Sequence, residues 1–412
     1  MEPTDCRMRP AHYLFPLAAI PALTFAGYWS LRLAWADHLS RAADPETVER
    51  SVRLVPGDAD IRIRHANQSE AAGADPSPAL QSAAALDPAN ATVWVRLGLS
   101  AEMRGDLGAA ERSLLRAARA SRQFEPRWTL ANYYARRADP AHFWPWARDS
   151  LLMAYADLNP VFQLCWSMSQ DSTVILECAV PPRRSVLNAY LGFLLRENKL
   201  AAAQPVAARL AALATSEDRP ALTAWCNQQL DRGSVPAAVQ IWNTLCERRL
   251  LPYAPLDANC APLTDGDFAA EPLGGGFAWR LAPLAGVAAG RNPSPRYLWF
   301  SFNGEQPEAC EPLAQFLPLA PGARYRLRFA YRTSEIGEES GLCWRVFDAR
   351  TGASMAASPW LSSPDWKTAE LDFTTAPATV LARLTLTCRR LPGATRIEGG
   401  LSLRGFSLER LP

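Results

Sequence analysis

Lysine is nearly absent: Lys199 and Lys367 are the only two among 43 basic residues. With 34 prolines and abundant alanine, this bias is associated with GC-rich bacterial genomes. An excess of one charge is also missing, because 43 basic and 41 acidic residues leave a formal charge of +2. Nucleic-acid binders usually carry a basic stripe, and none stands out, so no nucleic-acid partner is expected. Histidine is scarce: His12, His38, His65 and His142 do not cluster with the nine cysteines, and no C-x-x-C occurs. A zinc site needs converging ligands at short spacing, so no metal is expected.

The familiar catalytic signatures are missing too. There is no G-x-S-x-G, H-E-x-x-H, P-loop or G-x-G-x-x-G. Glu335, Glu338 and Glu339 fall together in a polar stretch between strand-like segments, where a solvated turn is the default. A glycosidase needs two carboxylates facing each other across a cleft, and no such pair is evident. Asp58 with Asp60, and Asp265 with Asp267, fit helix-start or turn roles. Gly274–Gly276 reads as a flexible loop without the strand–helix setting of a phosphate site. No catalytic residue and no cofactor is expected, and the chain reads as a non-enzyme. An unrecognised glycan-active enzyme is the alternative, and glycan turnover lost on changing Glu338 or Glu339 would support it.

What is present divides the chain by character. Its 412 residues suffice for two or three domains, and 49% hydrophobic against 20% charged residues favours packed cores over disorder. Tyr13–Leu31 carries no charge over 19 residues, near the ~20 needed to cross a bilayer as a helix. Arg7 and Arg9 precede it and Asp37 follows, which favours a cytoplasmic N-terminus and an exported body. Tyr28, Trp29, Trp35 and Arg32 suit the far interface, so residues 13–35 are expected to meet the membrane. The alternative is a signal peptide cut after Ala34-Trp35-Ala36, which would leave a secreted or periplasmic body. Export permits disulfides, but nine cysteines leave at least one unpaired. Cys226 and Cys246 are expected as small buried residues on helices. A Cys343–Cys388 bridge is disfavoured by the differing parity of the two positions.

Residues 45–250 carry helical periodicity. Trp94, Leu97, Gly98, Ala101, Gly105, Ala110, Leu114 and Ala117 form one unit, in which Gly98 and Ala110 let two helices approach and Gly105 turns between them. Trp225, Cys226, Gln229, Gly233, Ala238, Trp242 and Leu245 repeat seven of those positions 128 residues later. Leu191, Asn198, Ala203, Ala207 and Leu210 form a weaker copy, and Pro126–Tyr155 another, with Trp128, Leu130, Tyr134, Trp146 and Leu151 on its apolar face. Prolines at 160, 181 and 182 place an interruption around Asn159–Pro182. The spacing resembles a degenerate tetratricopeptide array over about half the chain, which implies a surface that docks a protein partner. The plain alternative is a spacer.

Beyond a turn-rich linker, alternation replaces the helical period. Segments Arg296–Gly304, Ala323–Thr333, Gly341–Asp348, Thr368–Thr375, Ala382–Arg390 and Gly400–Leu411 each alternate apolar and polar residues, the pattern of an antiparallel β-sandwich. Leu263–Phe268, Phe277–Arg280, Leu319–Tyr325 and Trp360–Trp366 resemble, in order, four motifs of the galactose-binding-like jelly rolls that include bacterial carbohydrate-binding modules. That resemblance implies a jelly-roll fold and a sugar ligand. Stacking on sugars needs exposed aromatic faces ringed by polar groups. Tyr297 and Trp299 have the parity opposite to Leu298 and Phe300 and point away from the expected core. With Trp360, Arg326 and Arg328 they are the expected ligand residues; Trp366, Arg345 and Glu339 are further candidates, while Trp279, Trp344 and Trp366 each suit the core.

The expected architecture is multidomain α plus β: a single N-terminal transmembrane helix within residues 1–36, a tetratricopeptide-like α-solenoid over 37–252, a linker over 253–262, and an antiparallel β-sandwich jelly roll over 263–412. The expected role is a scaffold at the bacterial inner membrane, docking an envelope protein through its repeats and a polysaccharide through its β-module. By analogy it would support exopolysaccharide production or export; the alternative is a purely structural assembly factor.

Overall fold

The computed structural model describes residues 11–42, 44–153, 155, 157–259 and 262–412, with backbone alone for 11–18 and 45. Two compact units meet in sequence at Pro181 and Pro182. The first holds α1 (Ala11–Ser40), α2 (Pro45–Leu54), α3 (Ala59–Ala71), α4 (Ser77–Leu86), α5 (Ala91–Met103), α6 (Leu107–Ala120), α7 (Phe124–Arg136), α8 (Pro140–Met153), α9 (Asn159–Met168) and α10 (Ser172–Val174). The second begins with α11 (Arg184–Arg196), α12 (Leu200–Leu213), α13 (Arg219–Asp231) and α14 (Val235–Glu247).

Helices pair as hairpins because small residues sit where they cross. A Cβ on Gly98 would lie 2.6 Å from the Leu114 side chain and 3.2 Å from the Ala110 carbonyl oxygen, so α5 and α6 approach closely. In the copy 128 residues on, the Cys226 thiol donates to the Ala238 carbonyl at 3.7 Å, and Trp225 and Trp242 are wholly buried. Leu97, Ala110, Leu114 and Ala117 are buried in the first copy and Leu191, Ala203, Ala207 and Leu210 in the weaker one, as their spacing predicts. Five of the hairpins turn through one left-handed residue each: Gly73, Ala138, Asn198 and, in the two clearest copies, Gly105 and Gly233. At each, the left-handed residue's N–H bonds a carbonyl three residues back and the next N–H one five back, closing the preceding helix. Asp58 is the N-cap of α3, accepting from the Asp60 and Ile61 amides, which is the helix-start role expected of it. The interruption near Asn159–Pro182 is a short α9 and an α10 that runs into a π-helical turn, Ile175–Ala179.

Among the described residues, no helix is long and apolar enough to cross a membrane. The spanning segment expected over 13–31 is not shown there, and the side chains of its residues 13–18 lie outside the described ones. Helix α1 does expose Ile20, Leu23, Phe25, Tyr28 and Leu31. From Arg32 onward it packs into the helical body: the Arg32 Nε donates to the Leu54 carbonyl at 2.7 Å, and Ala36 is fully buried with Val55 and Ile61.

In the second unit, ten strands follow: β1 (Arg280–Leu281), β2 (Val287–Pro293), β3 (Arg296–Asn303), β4 (Ala309–Pro318), β5 (Arg324–Ser334), β6 (Leu342–Asp348), β7 (Ser354–Ala357), β8 (Lys367–Thr374), β9 (Leu381–Arg389) and β10 (Glu398–Leu411). They form two antiparallel five-stranded sheets, β1-β4-β9-β6-β7 and β2-β3-β10-β5-β8, whose inner faces enclose one core. Its centre is aromatic: the Trp344 ring centroid lies 6.0 Å from that of Trp279 and 5.1 Å from that of Phe406.

The glycine loop expected to be flexible is instead packed. A Cβ on Gly276 would meet the Trp242 indole at 2.3 Å, and Asn227 Oδ1 accepts from the Gly276 amide at 2.7 Å and from the Arg280 guanidinium at 2.8 Å. The segment before it is held too: Asn243 donates to and accepts from Leu256, and Tyr325 OH donates to the Ala258 carbonyl at 2.8 Å. The last hairpin, α13 and α14, is thus covered by residues of the β-module, as the end of a repeat array must be.

Candidate functional site

The outer face of the β2-β3-β10-β5-β8 sheet carries the candidate site. Strand β3 buries Leu298, Phe300 and Phe302 and turns Tyr297, Trp299 and Ser301 outward, as the alternation predicts. Trp299 is 37% exposed. Its indole lies across Gly290, its register partner on β2, where a Cβ would come within 2.6 Å of the ring. On the other side, Trp299 pairs with Ser402 of β10, which pairs in turn with Arg332 of β5. One row therefore crosses four strands as Gly290, Trp299, Ser402 and Arg332.

The neighbouring row holds Tyr297 and Arg404. Tyr297 meets Trp366 edge to face, with centroids 6.1 Å apart. The Arg404 guanidinium lies 4.0 Å from the Trp366 ring centroid and that of Arg332 lies 5.4 Å from it. Trp366 is half-buried at this surface and not in the core, whereas Trp279 and Trp344 are core residues. A bulge between Arg404 and Ser407, with Gly405 at φ 63°, sends Phe406 inward and leaves Arg404 on the outer face.

Arg326 and Arg328 share this outer face but are engaged elsewhere. Arg326 makes a bidentate pair with Asp372, both contacts at 2.7 Å, and Arg328 bonds Glu370 at 2.8 Å and lies 3.5 Å from Glu409. They form a cross-strand ion ladder at one end of the sheet, apart from the aromatic residues. Trp360 is 43% exposed but belongs to the edge of the other sheet, where the next residue, Leu361, donates its N–H to Leu342 of β6. Arg345 also lies on that sheet, on β6, and Glu339 in the loop before it. The structure thus brings together Tyr297 and Trp299 of the expected ligand residues, adds Trp366, and does not bring in Trp360.

Arg332, Arg404, Ser402 and Gly290 were not among the expected residues. Arg332 was readable, since it keeps the parity of Arg326 and Arg328. Arg404 was not, because the bulge after it breaks the alternation of β10. Asp265 takes the turn role expected of it, accepting from the Ala269 and Ala270 amides; burial pushes its carboxyl up, against the pull of those two N–H groups.

The helical unit offers a cleft of about 720 Å³ lined by Gln81, Ala84, Pro88, Trp94, Arg116 and Arg119. Arg116 lies 4.7 Å over the Trp94 ring. Arg112, Arg116 and Arg119 are exposed on α6 with Arg122 just beyond it, a local run of basic residues that the overall charge balance conceals.

No protein-family model matches the chain, and no curated protein matches it. Solved structures do resemble its parts. The carbohydrate-binding module CBM4 is 10% identical, with a TM-score of 0.26, over 33% of this chain and 88% of that one. The carbohydrate-binding module TmCBM61, solved with β-1,4-galactotriose, is 16% identical, with a TM-score of 0.25, over 35% of this chain and 92% of that one. YrrB, a TPR protein with an unusual peptide-binding site, is 14% identical, with a TM-score of 0.25, over 51% of this chain and 94% of that one. The chain is similar to tetratricopeptide proteins in its helical part and to carbohydrate-binding modules in its β-part.

Proposed function

We propose that this protein is a non-catalytic scaffold of the bacterial cell envelope that holds a glycan on the outer face of its β-module. The observation that carries this reading is Trp299: it is 37% exposed, seated on Gly290, and shares one face with Tyr297 and Trp366. An aromatic left open beside polar groups, on a face the core does not need, is what a sugar's C–H surface stacks against. The test is migration of the full-length protein through gels cast with polysaccharide. Retardation abolished by Trp299→Ala supports the reading; equal retardation of both forms, or none, overturns it.

In this reading residues 13–31 are a single-pass anchor in the inner membrane, with the N-terminus cytoplasmic and the body extracytoplasmic. Cleavage after Ala36 is the alternative, and it would leave a secreted or periplasmic body. The anchor and repeats would raise the effective concentration of the β-module near its glycan, in support of exopolysaccharide production or export. The helical unit docks an envelope protein, and the cleft at Trp94 and Arg116 favours an acidic segment of that partner. If only this docking exists, the protein is a structural assembly factor. Loss of a co-purifying membrane complex on Trp94→Ala, with polysaccharide binding absent, would select that second reading.

A further inference from the structure

We infer that the glycan recognised by this face carries carboxylates, as a polymer of uronic acids does; this rests on the glycan reading of Trp299. Paired and unpaired arginines stand along one strand. Six side chains of β5 point outward: Arg324, Arg326, Arg328, Ala330, Arg332 and Ser334. Asp372, Glu370 and Glu409 neutralise Arg326 and Arg328. Arg332, on the same face, has no carboxylate within ion-pair distance among the described residues, nor has Arg404 of the adjacent β10. Both guanidinium groups lie instead against Trp366.

This arrangement holds two cations in place without discharging them. Stacking on an indole restrains a guanidinium while leaving its N–H edge open for a bidentate carboxylate. Trp366 is accordingly a positioning residue, and Tyr297 buttresses its edge. Arg332 and Trp299 flank Ser402 in one row, and neighbouring strands stand ~4.8 Å apart, so the two lie roughly 10 Å apart across the sheet. A pyranose ring fits that interval, with its C–H face on Trp299, a hydroxyl toward Ser402 and a C6 carboxylate toward Arg332 or Arg404. A neutral glycan uses the same stacking surface and leaves both arginines unanswered.

The experiment compares the full-length protein on polygalacturonate and on neutral β-1,4-galactan by isothermal titration. Expected is binding of polygalacturonate about tenfold or more tighter than galactan. Arg332→Gln and Arg404→Gln should each remove most of that preference, while Arg350→Gln, a lost charge on a turn of the other sheet, leaves it intact. The preference should also fall as salt rises through 0.5 M. Equal affinity for both polymers, abolished by Trp299→Ala and unmoved by the arginine variants, overturns the carboxylate inference and leaves the glycan reading standing. Binding of neither polymer, nor of any other glycan on a bacterial polysaccharide panel, overturns both. Unchanged thermal unfolding of each variant excludes misfolding as the cause.

A second inference rests on a different observation. Cys310 of β4 and Cys388 of β9 are direct register partners on antiparallel strands, and both are buried in the sandwich core. Such partners have Cα atoms ~4.5–5.5 Å apart, inside the range a disulfide spans. Cys343, by contrast, pairs with Thr387 on β9. We propose that Cys310 and Cys388 become a disulfide when the chain folds under oxidising conditions. Two thiols lose two protons and two electrons to form the S–S bond, and one glutathione disulfide is reduced to two glutathione thiols. Full-length protein refolded in a glutathione redox buffer should yield a Cys310–Cys388 linked peptide on digestion, lost in Cys310→Ser. Recovery of both cysteines as thiols, or linkage of Cys388 to Cys343, would overturn this.

Discussion

Gly276 lies against Trp242 so closely that a methyl group there would come within 2.3 Å of the indole. Its φ of +56° is also one that side-chain-bearing residues rarely adopt. Gly276→Ala should therefore destabilise the second unit by about 2–4 kcal/mol, the combined cost of strain and overpacking. Asn227→Ala should cost about 1–3 kcal/mol, because it takes an acceptor from both the Gly276 amide and Arg280. Urea unfolding followed by tryptophan fluorescence measures both. Stability within 0.5 kcal/mol of the parent in both variants would mean that α14 and the glycine loop are not packed as described.

The hairpin turns give a prediction of opposite sign. Gly105, Ala138, Asn198 and Gly233 occupy the same left-handed position, and only Ala138 has a Cβ without a polar side chain to favour that conformation. Ala138→Gly should stabilise by about 0.5–1 kcal/mol, the relief of strain less the added freedom of the unfolded chain. Gly105→Ala and Gly233→Ala should each destabilise by about 1 kcal/mol. Midpoints of urea unfolding check all three, and a destabilised Ala138→Gly would contradict the assignment of that turn.

The acid limb of stability should depend on Asp218. Burial pushes its carboxyl up, but the Thr215 amide, Arg184 and Asn188 outweigh that and hold it below its ordinary value of 3.8. A carboxylate with a depressed folded-state pKa stabilises the protein above its unfolded value, and that stability is lost as pH falls through the folded one. Asp218→Asn should lower the melting temperature at pH 7, and the gap to the parent should narrow progressively as pH falls from about 5 to 3. A gap that stays constant over that range would show that the charge is not what matters.

Thiol reactivity should sort by burial. Burial pushes the Cys165 and Cys226 thiols up to about 12, whereas Cys178 is exposed. Iodoacetamide applied to the native protein at pH 8 should label Cys178 and spare Cys165 and Cys226, as read by peptide mass mapping. Labelling of Cys226 would contradict its close contact with Ala238.

Much of this architecture was legible in the residues, and the parts that were not share a cause. Gly98, Gly105 and Gly233 announce their hairpins because a close crossing and a left-handed turn both require what only glycine supplies cheaply. The turn at Ala138 carries no such mark, and the structure shows it through its hydrogen bonds. Strands β3, β5 and β8 alternate cleanly because one face of each packs on the core, whereas β6 and β9 bury residues on both faces. Strand β2 does not alternate, since Gly290 must stay small beneath Trp299, and β4 loses its alternation at a bulge between Cys310 and Leu313. Within the candidate site, parity was enough to turn Tyr297 and Trp299 outward. It was not enough to separate Arg332 from Arg326, because what distinguishes them is the carboxylates of β8 and β10, and pairing register is not written in any single strand. Nor does composition show that the loop at Gly276 is packed, since Trp242 and Asn227, which hold it, lie about 34 and 49 positions earlier.

Hydroxyl-radical footprinting of the full-length protein with and without polygalacturonate, read residue by residue, locates the glycan on one sheet or the other. Tyr297 and Trp299 should become protected together while Trp360, similarly open but on the other sheet, stays reactive. Protection of Trp360 with Trp299 left reactive would place the ligand elsewhere and rule out the face that carries Trp299.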